Sequence, residues 1–162
     1  MSISNSPIVR NVLLTCMNFK TRKKEAWVHN AFLDKIKRDL EGSGFKVVRE
    51  YAIAYPGDYK QLYGKIDLYA SSKDINVCLE FDFGLHLRYK SIQKMLTSNA
   101  HVCVGVYRGI NGGIFQTYNN KRLFFENKER IASVKEQFGA GSLGKTFYLI
   151  NFLNKKISVL HL

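Results

Sequence analysis

Between Gly64 and Phe83 the chain sets two β-rich runs on either side of a polar stretch, Ser71-Ser72-Lys73-Asp74. Two such runs around a turn read as a β-hairpin, and this segment restricts the possible folds more than any other. In the second run Val77, Leu79, Phe81 and Phe83 share one face by the period of two, and Cys78, Glu80 and Asp82 share the other. Carboxylates flanked by four large apolar residues are costly to bury without a partner. A turn centred on Lys73-Asp74 sets Asp67 directly opposite Glu80, with Cβ atoms about 4.5–5.5 Å apart. Three acidic side chains, Asp67, Glu80 and Asp82, are thereby expected to converge. Like charges that close repel unless one is protonated or a cation lies between them. Oxygen-only ligands suit Mg²⁺ or Mn²⁺, ions that keep several waters and take phosphate oxygens as ligands. The plainer alternative is a solvated strand face whose acids pair with nearby lysines.

Charge points to what would bring such phosphates. Lys and Arg number 25 against 13 Asp and Glu, leaving a formal charge of +12. An imbalance of that size favours a polyanion, nucleic acid or an anionic membrane surface. Nucleic acid fits the acidic cluster better. The 162 residues suit one domain over 1–162, with its core motif in about 21–107 and an elaboration over about 114–162. No apolar run approaches the roughly 18–20 residues of a membrane helix. Met1–Arg10 lacks an apolar segment after basic residues, so secretion is not expected. Cys16, Cys78 and Cys103 are odd in number and widely spaced, which reads as free thiols in a reducing, cytoplasmic compartment.

The remaining elements follow from periodicity. Residues 1–10 read as a loose arm or early edge element, and Val12–Met17 is ambiguous between strand and helix. Thr21 to about Glu41 is helical, with Trp27, Val28, Ala31, Phe32, Ile36 and Leu40 forming one apolar stripe and Gly42 and Gly44 ending it. Phe45–Tyr55 is extended and closes at Pro56-Gly57. Leu85–Ser98 reads as a helix with Ile92, Met95 and Leu96 inward and Arg88, Lys90 and Lys94 outward. His101–Tyr107 is a strand, so the intervening helix makes its pairing with the preceding strand parallel. A helix over roughly Glu126–Phe138 leads to a terminal hairpin, Phe147–Leu153 and Ile157–Leu160, turning at Asn154-Lys155. The class is α/β: a mixed β-sheet flanked by helices in two or three layers. Gly144-Lys145-Thr146 imitates the end of a phosphate-binding loop without its spacing and reads as a turn into a strand.

Gly64-Lys65-Ile66-Asp67-Leu68 and Leu79-Glu80-Phe81-Asp82 resemble the signature of the PD-(D/E)xK nucleases: an acid on one strand of a hairpin, then an acid-x-lysine on the next. The resemblance spans about residues 25–107 and implies a restriction-endonuclease-like core. It further implies a Mg²⁺- or Mn²⁺-dependent deoxyribonuclease with Asp67 and Glu80 as metal ligands. One departure is plain: Asp82 stands where the family's lysine is usual. Asp82 would then ligate a second ion or accept a proton, and a cation would come from elsewhere, with Lys94 on the next helix the candidate. Several branches of the family place a glutamate of the first core helix on the metal, which implies Glu25. Glu50, at the end of the next strand, competes for that role.

Lys20, Arg22, Lys23 and Lys24, together with Arg88 and Lys90, are candidates for tracking phosphates, since affinity for nucleic acid is largely phosphate neutralisation. Tyr51, Tyr55, Tyr59, Tyr63, Tyr69 and Tyr89 supply rings on which bases stack. The expected activity is metal-dependent hydrolysis of DNA phosphodiester bonds. A single site per chain makes a homodimer the natural device for double-strand cleavage. The rival expectation is a catalytically inactive module of the same fold that grips DNA or a partner protein.

Overall fold

The computed structural model describes residues 7–20, 25–138 and 144–162, with the backbone alone at 7–8 and 25–27. The expected helix start at Thr21, the basic residues Arg22, Lys23 and Lys24, and most of the Gly139–Gly144 loop lie outside the described residues.

The first element, α1 (Pro7–Asn18), is a helix where an arm or edge was expected. Proline suits a first helical turn because its missing N–H would have no intrahelical partner there. Val9, Val12 and Cys16 recur at helical spacing and are buried, so one apolar stripe decides what Val12–Met17 alone left ambiguous. Helix α2 (Glu25–Gly42) buries Val28, Phe32, Leu33, Ile36 and Leu40. Leu33 thus takes a place in the stripe that was assigned to Ala31, which is exposed. Gly44, at φ 87°, ends α2. The N–H of Phe45 bonds the carbonyl of Leu40 and that of Gly44 bonds Glu41, each at 3.0 Å, the paired closure of a left-handed helix cap.

Six strands form one sheet in the order β1 (Lys46–Pro56), β2 (Gln61–Ser71), β3 (Asn76–Asp82), β4 (Val102–Tyr107), β5 (Thr146–Asn151) and β6 (Lys156–His161). β2 is antiparallel to both β1 and β3, β3, β4 and β5 run parallel, and β6 returns antiparallel. Helix α3 (Tyr89–Thr97) joins β3 to β4, and α4 (Gln116–Phe138) joins β4 to β5. The parallel pairing across α3 and the terminal hairpin agree with the expectation; α4 starts ten residues earlier than its periodicity suggested. Every residue of β4 and β5 is buried, as central parallel strands covered on both faces require.

Two apolar cores result. One joins α1 and α2 to the sheet through Phe32, Leu68, Leu79, Phe81 and Val104. The other joins α3 and α4 to the opposite face through Ile66, Leu87, Ile92, Met95 and Phe147. The layers are therefore helix, sheet, helix. All three cysteines are free and buried. Among the described residues no helix is long and apolar enough to cross a membrane.

One irregularity positions the site. The β1–β2 ladder pairs Arg49 with Leu68 and Tyr51 with Ile66, passing over Glu50 and Asp67 between them. Glu50 sits there at φ 51°, a left-handed conformation costly for a residue with a Cβ. Across this point the strands exchange faces. Val47, Leu68 and Ala70 belong to the α1–α2 core, whereas Tyr51, Ile53 and Ile66 belong to the other.

Candidate active site at a strand fork

The hairpin register is the one expected: Leu68 pairs with Leu79, Tyr69 with Cys78 and Ala70 with Val77. The next pair in that register, Asp67 and Glu80, does not close. At that level β2 leaves β3 and continues with β1 as a two-stranded ribbon, so a fork opens between the strands. The Asp67 carboxylate fills it, Oδ2 accepting the backbone N–H of Phe81 at 2.8 Å. This bond satisfies a donor that the lapsed ladder would otherwise leave without a partner.

From the α2 side His29 approaches the same oxygen, Nε2 to Oδ2 at 3.3 Å, with its ring stacked on Phe81 at 5.5 Å between centroids. Burial works to raise the Asp67 pKa, but the hydrogen bonds from His29 and Phe81 outweigh it and hold the carboxyl below its ordinary value. The hydrogen bond to Asp67 raises His29 above the usual imidazole value, against the opposing effect of burial.

From the α3 side comes Lys94. It was expected to point outward, yet it is 5% exposed and its ammonium donates to Glu80 Oε1 at 2.5 Å and to the carbonyl of Lys65. The reason is steric as well as electrostatic. A Cβ on Gly64 would stand 3.2 Å from Lys94 Cδ and 3.1 Å from the Tyr55 ring, so the missing side chain opens the path along which the lysine stem crosses the ribbon. Gln93, beside it, donates to the carbonyl of Pro56 and ties α3 to the same ribbon.

Glu80 is completely buried, and its Oε2 has no hydrogen-bond partner. Burial, and next the charge of Asp67, raise its pKa to about 7 despite the lysine. A buried carboxylate oxygen without a partner is costly, so this atom marks where a further group belongs.

Asp82 does not join the other two acids. It is 3% exposed, but Oδ1 accepts from Arg88 Nε at 2.5 Å and Oδ2 from the Arg88 backbone N–H at 2.8 Å. The chain turns back after β3 and brings the first residue before α3 onto it. The expected convergence of three carboxylates is thereby corrected: among the described residues no group of three His, Cys, Asp or Glu is placed to hold a metal ion. Arg88, assigned to phosphates, is engaged with Asp82, although its side chain is 58% exposed. Glu50 faces solvent and pairs with Lys65 at 3.1 Å. Glu25 is in the first turn of α2, four residues before His29, and its side chain lies outside the described residues. Lys20 and Lys90 are exposed. Of the tyrosines, Tyr51 and Tyr69 stack on each other at 4.3 Å and Tyr55 is buried, whereas Tyr59, Tyr63 and Tyr89 are open to solvent.

His29 is the residue that reading the sequence missed. Its spacing from Glu25, one helical turn on the same face, was the available signal. Two carboxylates thus stand at the fork on adjacent strands, Asp67 hydrogen-bonded by His29 and Glu80 by the buried Lys94. Comparison of the chain with protein-family models, with curated proteins and with solved structures returned no match.

Proposed function

We propose that this protein is a metal-dependent endonuclease that hydrolyses DNA phosphodiester bonds on a restriction-endonuclease-like core. The observation that carries the reading is the orphaned Glu80 Oε2, buried beside a lysine-bound Oε1 with Asp67 on the neighbouring strand. The residues fit Mg²⁺ or Mn²⁺, since such ions are commonly held by one or two carboxylates with water and substrate phosphate completing the shell. Asp67 and Glu80 would hold the ion, which supplies Lewis acidity and an acidified water at the scissile phosphate.

The chain's own residues supply the rest. His29 and the Phe81 N–H fix the Asp67 carboxylate and keep it ionised, so a ligand is ready at neutral pH. Lys94 takes the role the family's lysine plays, reaching Glu80 from α3 rather than from the position of Asp82. Its ammonium holds one Glu80 oxygen, leaves the other for the ion and orients the attacking water beside it. Asp82 acts on Arg88 instead, holding that guanidinium at the start of α3, where its exposed edge meets the phosphates flanking the cut. Lys20 and Lys90 extend the basic surface in a chain of +12. Glu25 stands as a further ligand from α2.

Cleavage of plasmid, branched and single-stranded DNA by the wild type, Asp67→Ala and Glu80→Ala tests this reading. The expected result is cutting in Mg²⁺ or Mn²⁺ that both variants lose while still binding DNA. Substrate left intact by the wild type under every divalent ion, with salt-sensitive binding, makes the protein a binding module instead.

A further inference from the structure

The carboxyl ends of the parallel strands carry a second feature, separate from the fork. Asp82, Tyr107 and Asn151 occupy equivalent positions on β3, β4 and β5, and Lys156 is paired with Asn151 on β6. Strands lie about 4.8 Å apart, so this row leads from the last acid of β3 to a point roughly 14 Å away. There a cavity of about 220 Å³ opens between the sheet and the first turns of α4. The cavity lies at the carboxyl ends of the parallel strands β4 and β5, beside Tyr107 and Asn151.

Its floor is polar and rigid. Asn120, buried in α4, donates from Nδ2 to the carbonyl of Ile110 at 2.7 Å and accepts the Ile110 N–H on Oδ1 at 2.9 Å. The same oxygen accepts from Asn151 Nδ2 at 2.9 Å, and Asn151 Oδ1 accepts the N–H of Asn154 at 3.0 Å. Gly109 is required beneath: it has φ 74°, and a Cβ there would collide with the Asn151 carboxamide. Phe124, Leu149 and the Tyr107 ring form the apolar walls, and Lys121 and Lys156 stand exposed at the mouth.

Beyond the bonds already described, Asn120 retains one Nδ2–H and Asn151 one Oδ1 lone pair, a donor and an acceptor for the edge of a nucleobase, and aromatic and aliphatic walls suit its faces. The enclosed volume is small against typical drug-sized pockets and suits a single heterocycle. Two lysines at the rim place positive charge where a sugar phosphate would emerge. We infer that this cavity is a binding site for a nucleoside monophosphate, with the base inside and the phosphate between Lys121 and Lys156. The site is independent of the fork, and it stands whether or not the chain cuts DNA.

Calorimetric titration of the full chain with the four deoxynucleoside monophosphates, their parent nucleosides and inorganic phosphate tests the inference. At least one monophosphate is expected to bind saturably, at least ten-fold more tightly than its nucleoside and than phosphate. Both rim lysines are exposed, so Lys121→Ala with Lys156→Ala leaves the fold intact and weakens that binding ten-fold or more. Phe124→Ala weakens monophosphate and nucleoside alike, and Asp67→Ala changes neither. The inference is overturned if no monophosphate binds saturably, if inorganic phosphate binds as well, or if the lysine variant binds like the wild type. It is also overturned if Asp67→Ala abolishes the binding, which would move the ligand to the fork.

Discussion

Two lysines of this chain are buried to the same extent, Lys94 at 5% exposure and Lys145 at 6%, and they do different things. Lys145 donates to the carbonyls of Ser98 and Ala100, both at 2.6 Å, just beyond the C-terminus of α3. It satisfies carbonyls in the turn that follows the helix, and among the described residues no acid hydrogen-bonds it. Lys94 shares its ammonium between one carbonyl and Glu80, whose second oxygen is left bare. The first arrangement is closed and therefore structural. The second has one acceptor in excess, and the proposed function rests on that surplus. Burial of a lysine is by itself no sign of chemistry; what its partners leave unsatisfied is.

Replacing each lysine by methionine separates the two roles. Lys94→Met is expected to lower the DNA cleavage rate by about 10²–10³, the range of losing one preorganised charged donor. The check is single-turnover cleavage by protein whose circular dichroism matches the wild type. Cutting within a few-fold of wild type would make Lys94 a structural lysine like its counterpart. Lys145→Met works the other way: it orphans two buried carbonyls, destabilises the fold by about 2–4 kcal/mol in chemical denaturation, and leaves the rate of the folded fraction within a few-fold.

Gly64→Ala sharpens the same contrast at lower amplitude. The added methyl crowds Lys94 Cδ and the Tyr55 ring by a few tenths of an ångström. Cleavage should fall by about ten-fold with a stability loss of about 1 kcal/mol, the modest range of overpacking. The equivalent change at Gly42, a helical position where a Cβ meets nothing, should leave the rate unchanged and stabilise the fold by up to about 1 kcal/mol.

The smallest effect is on pH dependence. Glu80 has a folded pKa of about 7, above its unfolded value, so the folded state holds its proton over a range in which the unfolded state has released it. Its contribution is complete below the unfolded value and is lost as pH rises through about 7. His29, also raised, acts in the same direction. Asp67 is lowered, so its contribution is present above its unfolded value and is lost only as pH falls through the depressed folded one. Thermal melting of metal-free protein is therefore expected at lower temperature at pH 8 than at pH 5.5. Glu80→Gln should flatten that difference and His29→Gln should reduce it in part. An unchanged profile in Glu80→Gln would assign the dependence elsewhere.

Much of the frame was legible in the residues themselves. The hairpin register followed from one turn and a period of two, although it stops at Leu68 and Leu79, one pair short of the expected Asp67 and Glu80. The terminal hairpin and the parallel return through α3 followed from equally local patterns. Residues 7–10 were misjudged because Pro7 reads as a breaker until Val9, Val12 and Cys16 are seen to share a core. The early part of α4 was lost for the opposite reason: Tyr118 and Phe125 lie exposed on its outer face and blur the helical stripe.

What the chain settled by itself is whatever depends on neighbours in sequence: alternation along a strand, spacing along a helix, the glycines and turns that stop them. Packing decided the rest. Whether Lys94 is solvated or buried depends on a gap left by Gly64, thirty residues earlier and on another element. Whether Asp82 belongs with Glu80 or with Arg88 depends on how the chain turns after β3. His29 reaches Asp67 because α2 lies across the fork, and Asn120 meets Asn151 because α4 lies across the strand ends. Each of these pairings joins elements whose separation no local period encodes, so only the assembled layers bring the groups within hydrogen-bond reach.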